Sequence, residues 1–520
     1  MRRITIFDTT LRDGDQAFSF GADEKIALAL ALAEAGVDVI ETGFPLSGRI
    51  DFAACGTIAR ELQNFKASPD SPPLTAVMCR GRPGDIAESA KVFTGGIPGI
   101  LHISLPVSKI HIEAKLGKTQ TEVIALAREA VSFAAGLALR VELGAEDAFR
   151  ADRGFLLEYC LAAIDAGAHT VNIADTVGAA APDGTRELVA FLCSRIPDVN
   201  HGENRAVLSI HCHNDLGLAC ANTLAALEAG CGQAEVSVCG LGERAGNAAL
   251  EEVAANIELR SHESGLSTRL LPERFPKLLD MAAVAAGGAF SPMKPLRGWN
   301  TRSNGSGIHQ QGLSRNTETY SLAGLKRWAA VPERISLSRH SGRSGTVLFA
   351  ERYCGFRLDE ETSALITETI KGREAVTGIT EFLCILADIG KLPYEFPRPL
   401  IRRSFSALFT VPVNRAAPEA IRVNAVVAKY GGGETGRTVS GDGENEAGAV
   451  SQAVESLCGL QFTFSRTALN GYGGRLRLYT EIATPSGRTY ALERLGVSTA
   501  ELLFLCGLDA VNAEAARAAS

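Results

Sequence analysis

Over its first ~260 residues the chain alternates short apolar runs of strand character with longer segments of helical pattern, and this alternation constrains the fold more than any other feature. The strand runs are Ile4–Phe7, Val37–Glu41, Leu74–Cys79, Ile100–Leu105, Ala138–Leu143, Thr170–Ala174, Val207–His211 and Glu235–Val238. Helical segments between them include Glu24–Ala35, Thr121–Ala135, Gly154–Ala166, Pro182–Ser194 and Leu216–Glu228. Eight such units are the arithmetic of a closed (β/α)8 TIM barrel, with a doubly wound open sheet as the competitor. Polar residues collect at the C-terminal ends of several strands. A barrel focuses those ends on one centre, whereas an open sheet spreads them out, so the α/β barrel is the expected fold.

The residues that follow the strands then define a candidate site. Strand seven ends in Ser209–Ala221, read SIHCHNDLGLACA, with His211 and His213 two residues apart. In an extended strand that spacing sends both imidazoles to one side, where they can share an ion, and turns Cys212 the other way. A lone histidine in an apolar run is ordinarily a satisfied core residue. A His-x-His that closes a strand and runs into Asn214 and Asp215 points instead to metal. The best third ligand is Asp13, in FDTTLRDGDQ after strand one, because two histidines and one carboxylate leave coordination positions open for substrate. After strand five come Glu146 and Asp147, after strand six Asp175 and Thr176, and after strand eight GLGERAGNAALEE. The glycines of that last run are too loosely spaced for a nucleotide fingerprint, and read as a tight turn that brings Asn247 near the metal.

Composition excludes other classes. A net charge of -7 and pI near 5.8 without long charge runs argue against a nucleic-acid or membrane surface. The chain enters its first strand directly after Met1-Arg2-Arg3, and contains no apolar run of membrane-spanning length, so a cytoplasmic location is expected. The 12 cysteines are scattered without a CxxC pair and read as reduced core residues.

At 520 residues the chain exceeds one ordinary core. Residues 1–270 are assigned to the barrel, 271–395 to a linker and helical subdomain, and 400–520 to a small α+β domain. Pro393, Pro397 and Pro399 mark the junction. Beyond it, Ser404–Tyr430 and Leu476–Thr484 alternate like strands, while Glu446–Cys458 and Thr499–Asn512 read as helices. The Gly-rich patch Gly431 to Gly443 is either a binding loop or a flexible hairpin.

FDTTLRDGDQ, IETGFPLSGRIDF, GAEDAFRAD, ADTVG, HCHNDLGLACANTLAALEAG and GLGERAGNAALEEV, in that order, resemble the acyltransferases of the isopropylmalate and homocitrate synthase family. The likeness covers roughly residues 1–390 and, more weakly, a leucine-sensing dimer domain at the C-terminus. It implies that acetyl-CoA condenses with a 2-oxo acid on a divalent cation, Mg, Mn or Zn, bound by Asp13, His211 and His213 with Asn247 nearby. It further implies that Arg12 stabilises developing oxygen charge, that Glu146 and His309 form an acid–base pair assisted by Tyr320, and that Thr176 holds the substrate carboxylate. Each has a structural alternative: Glu146 as a helix cap, His309 as packing, Arg12 and Asp13 as a surface ion pair. His102 is carried as a substrate-binding candidate that faces either pocket or core. Arg80 is the cation available for a second carboxylate.

The acceptor is expected to be 2-oxoisovalerate, in leucine synthesis, with homocitrate and citramalate synthases as alternatives, because LHISLPVSKIHIEAKLGK and GAEDAFRAD lean towards homocitrate synthases of the nitrogenase-associated type. An acyl-CoA lyase and a non-catalytic regulatory relative are the rivals from other classes. Asn304 and Gly305 stand where the family usually has His and Glu, and Ala174 replaces a usual proline. The C-terminal domain is expected to bind an amino-acid effector and to pair in a homodimer.

Overall fold

The computed structural model describes residues 1–520 except 66–71, 198, 201–205, 288–289, 330, 332, 374–376, 393–399, 411–419, 430–436, 444, 459–461, 473–474, 485, 497–498 and 520. Pro393, Pro397, Pro399 and residues 431–436 of the Gly-rich patch therefore lie outside the described residues. Two compact units emerge. The first comprises residues 1–290, 295–297 and 324–330, and the second comprises 291–294, 298–323 and 331–520.

The first unit is a closed barrel of eight parallel strands: β1 (Thr5–Asp8), β2 (Val39–Glu41), β3 (Leu74–Arg80), β4 (Gly99–Pro106), β5 (Arg140–Glu146), β6 (Thr170–Asp175), β7 (Val207–Cys212) and β8 (Gln233–Val236). Pairing of Thr5 with Gln233 and of Asp8 with Val236 closes the ring. Alternate strand residues face opposite sides. On β5, Val141, Leu143 and Ala145 join the core beneath the helices, while Glu142 reaches across the interior to Gln233. Within the barrel, Phe7, Val39, Ala76 and Ile100 form a separate apolar plug. The interior is thus a packed core, and its polar residues are held above that plug.

Helix boundaries follow local chemistry. The helix Gln120–Ala135 starts at Thr119, which is paired reciprocally with Glu122 in the Thr-x-x-Glu arrangement that satisfies free backbone N–H groups. The helix after β7 begins at Ala219, later than the apolar pattern predicts, because Gly217 turns the chain at φ 76° and the Asn214 side chain caps Ala219 N. Strand β5 continues past Leu143 to Glu146 because Pro106 of β4 pairs with it there. Strand β8 runs Gln233–Val236, earlier than expected, because closure against β1 sets its register. Neither effect is visible in local hydropathy.

In the second unit, Ser303–Asn304 pairs in parallel with Arg334–Ile335. Helices Gly307–Arg315, Arg343–Phe349, Glu360–Lys371 and Ile379–Asp388 follow. Strands Leu400–Thr410, Ala420–Lys429 and Arg437–Gly443 form one antiparallel sheet, and Thr463–Tyr472, Arg475–Ala483 and Thr489–Gly496 form another. Helices Glu446–Cys458 and Thr499–Ala519 accompany them. One apolar cluster including Phe349, Phe382, Val450 and Phe504 serves both the helices and the sheets. Among the described residues, no helix of the chain is long and apolar enough to cross a membrane.

Candidate active site and metal centre

At the end of β1, Asp8 shapes the turn that carries Arg12 and Asp13. Its carboxylate accepts from Thr10 N at 2.9 Å and from Thr10 Oγ1 at 3.0 Å, and Thr10 Oγ1 in turn accepts from Val238 N at 2.8 Å. Burial pushes the Asp8 carboxyl up to about 7, against the lowering effect of the Thr10 bonds. The turn Thr10–Gly14 is wholly buried. It places Asp13 beside the histidines of β7.

Asp13 Oδ2 lies 3.4 Å from His211 Nε2, and His211 Nε2 lies 3.2 Å from His213 Nε2. One donor atom from each residue falls within 4.8 Å of the others, and all three residues are buried. Burial alone would lower His211, yet Asp13 and Glu235 outweigh it and raise it to about 9. His213 is pushed down to about 3 by burial and by His211. Asp13 is held well below the usual carboxylate range, because Arg12 and His211 overcome its burial. Cys212 faces the main core, as the strand alternation predicts.

Asn247 completes the cluster. Its Nδ2 donates to Asp13 Oδ2 at 2.8 Å, and its buried Oδ1 has no hydrogen-bond partner. The turn before it requires Gly246, at φ 86°, where a Cβ would lie 2.1 Å from the Gly240 carbonyl oxygen. Two imidazoles, a carboxylate and an unpartnered amide oxygen within one buried cluster are a donor set that fits a divalent cation.

Further buried polar groups brace these residues. Glu41, at the end of β2, accepts from Arg12 Nε at 2.7 Å, and its other oxygen lies 2.8 Å from His102 Nδ1. His102 thus faces the polar interior, and Glu41 and Glu235 raise it although burial opposes them. Glu235 Oε2 lies 3.2 Å from His211 Nδ1. Glu142 is pushed up by burial and by the neighbouring Glu235, and accepts from Gln233. Glu41, Glu142, Gln233 and Glu235 were not singled out from sequence. The available signal was the spacing of Glu142 and Glu146, with Gly144 between them on the same face, and of Gln233-x-Glu235, which marks strand faces turned away from the apolar core.

A cleft of about 160 Å³ opens over the cluster, lined by Arg12, Asp13, His102, Glu146, Thr176, His211 and His213, with Met78, Ser104, Gly144, Asn172 and Ala174 also in its wall. Thr176 Oγ1 accepts from Asp147 N at 2.9 Å. Glu146 is gripped by Lys115, 2.7 Å and 2.8 Å from its two oxygens, with His111 Nδ1 3.3 Å away. Arg80 lies elsewhere: its guanidinium is exposed, 2.6 Å from Asp85 and 6.0 Å from the Phe44 ring centre. His309 and Tyr320 belong to the second unit, where their rings stack at 4.1 Å. Gln310 is buried beside them and donates to the carbonyls of Asn304 and Ser336, so the segment that departs from the family pattern is pinned by backbone contacts.

The HMGL-like family model matches residues 3–274. The chain belongs to the HMGL-like family. It is 38% identical to the 2-isopropylmalate synthase of Pyrococcus furiosus over 383 residues, 73% of this chain and 74% of that enzyme. It is 39% identical to that of Stenotrophomonas maltophilia (strain R551-3) over 372 residues, 71% and 69% of the two chains, and 37% identical to that of Solidesulfovibrio magneticus, 71% and 70%. This membership makes the chain an enzyme of a metal-dependent family, and its structure holds a buried Asp13, His211 and His213 group that could hold a metal ion.

Proposed function

We propose that the chain condenses acetyl-CoA with a 2-oxo acid and hydrolyses the resulting thioester, with 2-oxoisovalerate as acceptor and 2-isopropylmalate as product, in cytoplasmic leucine synthesis. The observation that carries this reading is the buried Asp13, His211 and His213 set at the floor of a cleft that also presents Arg12, Glu146 and Thr176. The named relatives support the same chemistry.

A divalent ion, Mg, Mn or Zn, held by Asp13, His211 and His213 with Asn247 beside them, would polarise and orient the keto acid. Arg12, fixed by Glu41, presents its guanidinium where oxygen charge develops. Thr176 binds the acceptor carboxylate. Glu146 takes a proton from the acetyl methyl group, and the enolate carbon so formed attacks the keto carbon. The new alkoxide takes a proton, and water cleaves the thioester to release CoA as its thiol. His309 and Tyr320 keep the acid–base assignments that the family likeness gives them.

A monocarboxylate acceptor follows from charge. The two arginines lining the cleft are committed, Arg12 to Asp13 and Glu41 and Arg244 to Asp215. Arg80, the candidate for a second carboxylate, is engaged by Asp85. This weighs against 2-oxoglutarate. Pairing of two chains and binding of an amino-acid effector are assigned to residues 400–520, a reading supported by the likeness of that domain to a leucine-sensing dimer domain.

Mass analysis of the product formed from carbon-13 acetyl-CoA and unlabelled 2-oxoisovalerate tests the proposal. The expected product carries both acetyl carbons in a 2-isopropylmalate skeleton, with one free CoA thiol per turnover. Recovery of labelled acetate and intact keto acid would overturn it.

A further inference from the structure

The loop after β4 converges on the end of β5 in a way that the proposed reaction does not yet use. Ser108, fully buried, caps the turn Lys109–His111 by accepting from His111 N at 3.3 Å. The helical turn Ile112–Leu116 continues it, with Ile112 in the barrel core as its anchor. His111 and Lys115, four positions apart, therefore lie on the same side of this short helical segment. Both meet the acidic pair Glu146 and Asp147.

The two carboxylates are handled separately. Arg150 takes Asp147, with Nε at 2.8 Å from Oδ1 and Nη2 at 2.7 Å from Oδ2. Lys115 takes Glu146, reaching Oε1 at 2.7 Å and Oε2 at 2.8 Å. His111 stands between them, with Nδ1 3.3 Å from Glu146 Oε1 and Nε2 3.8 Å from Asp147 Oδ2. Past Glu146 the chain turns sharply, with Asp147 at φ 63°. Glu146 thus sits at the last position of a strand, and Lys115 is the group that fixes both of its oxygens.

We propose that Lys115 is a positioning residue that aims the Glu146 carboxylate into the cleft for removal of the acetyl methyl proton. The proposal rests on Glu146 being the base. A carboxylate has about four lone-pair sites, so an ammonium bridging both oxygens still leaves lone pairs for the substrate proton. Without Lys115, His111, 3.3 Å from Oε1, is left beside one oxygen only, and the second oxygen loses its 2.8 Å contact. Displacing a catalytic group by about 1 Å can cost 10²-fold in rate.

Lys115→Met, Lys115→Arg and Glu146→Gln in the full-length enzyme, assayed with ordinary and methyl-deuterated acetyl-CoA, form the test. Lys115→Met is expected to lower kcat by roughly 10- to 100-fold with both KM values little changed, and to raise the deuterium isotope effect as proton removal becomes slower. Lys115→Arg is expected to recover most of the loss. A raised KM for acetyl-CoA at unchanged kcat would overturn the proposal in favour of a CoA-binding lysine. A loss of kcat with an unaltered isotope effect would overturn it in favour of a purely structural one. Glu146→Gln separates the two levels: near-normal turnover in that variant would remove the base assignment itself, whereas its inactivity alongside an unaffected Lys115→Met would remove only the role of Lys115.

Discussion

Glu41 Oε2 accepts a 2.7 Å hydrogen bond from Arg12 Nε, and both side chains are at least nine-tenths buried. The guanidinium that faces the cleft is therefore oriented from below by a carboxylate that does not itself appear in the cleft wall. Removing that carboxylate leaves a buried cation short of one partner. Glu41→Ala is expected to destabilise the protein by about 3–5 kcal/mol, the range for breaking a buried ion pair from one side. Urea unfolding measures it, and a loss below about 1 kcal/mol would show that Arg12 finds other compensation.

Glu235 Oε2 stands 3.2 Å from Nδ1 of His211, one of the proposed metal donors. Its carboxylate favours the tautomer that leaves Nε2 free for an ion. Glu235→Gln is expected to weaken Mn or Mg binding by roughly 10- to 100-fold, as loss of such outer partners does. Calorimetric titration of the variant decides it, with unchanged affinity as the contrary result.

Gly246 sets the turn that delivers Asn247. A methyl group there meets the Gly240 carbonyl oxygen at 2.1 Å, and the φ of 86° disfavours any side chain. Gly246→Ala should lower both the melting temperature and metal affinity. Gly84→Ala, in the helix Pro83–Ala90 with open space around it, should leave metal affinity alone and change stability by no more than about 1 kcal/mol.

Asp8 gives a pH signature. Its carboxyl titrates near 3.8 when exposed and about 7 when buried in the fold. The folded state therefore keeps a proton that the unfolded chain has already lost, and stability contributed by this group falls between about pH 4 and pH 7 and stays low above that. Asp8→Asn does not ionise, so its stability relative to wild type should rise across the same window. A difference that is flat with pH would contradict the assignment.

The sequence exposed what is periodic or contiguous. The barrel was legible in the strand–helix alternation, and His211 and His213 in the two-residue period of one strand. Asp13 was legible because it follows the first strand in a run rich in polar residues. Contacts between segments distant in sequence were hidden, since nothing local links Glu41 to Arg12 or Lys115 to Glu146. Arg80 illustrates the opposite error. Strand position suggested a pocket cation, but Asp85 in the first turn of the next helix takes the guanidinium as the strand ends.

The most direct measurement is kcat/KM for CoA thiol release from acetyl-CoA with a divalent ion present, comparing 2-oxoisovalerate with 2-oxoglutarate. The account predicts thiol release with 2-oxoisovalerate, and a preference for the monocarboxylate of at least about 100-fold, the scale of roughly 2.7 kcal/mol for an unpaired buried carboxylate. A preference for 2-oxoglutarate, or no release with either acid, would contradict it.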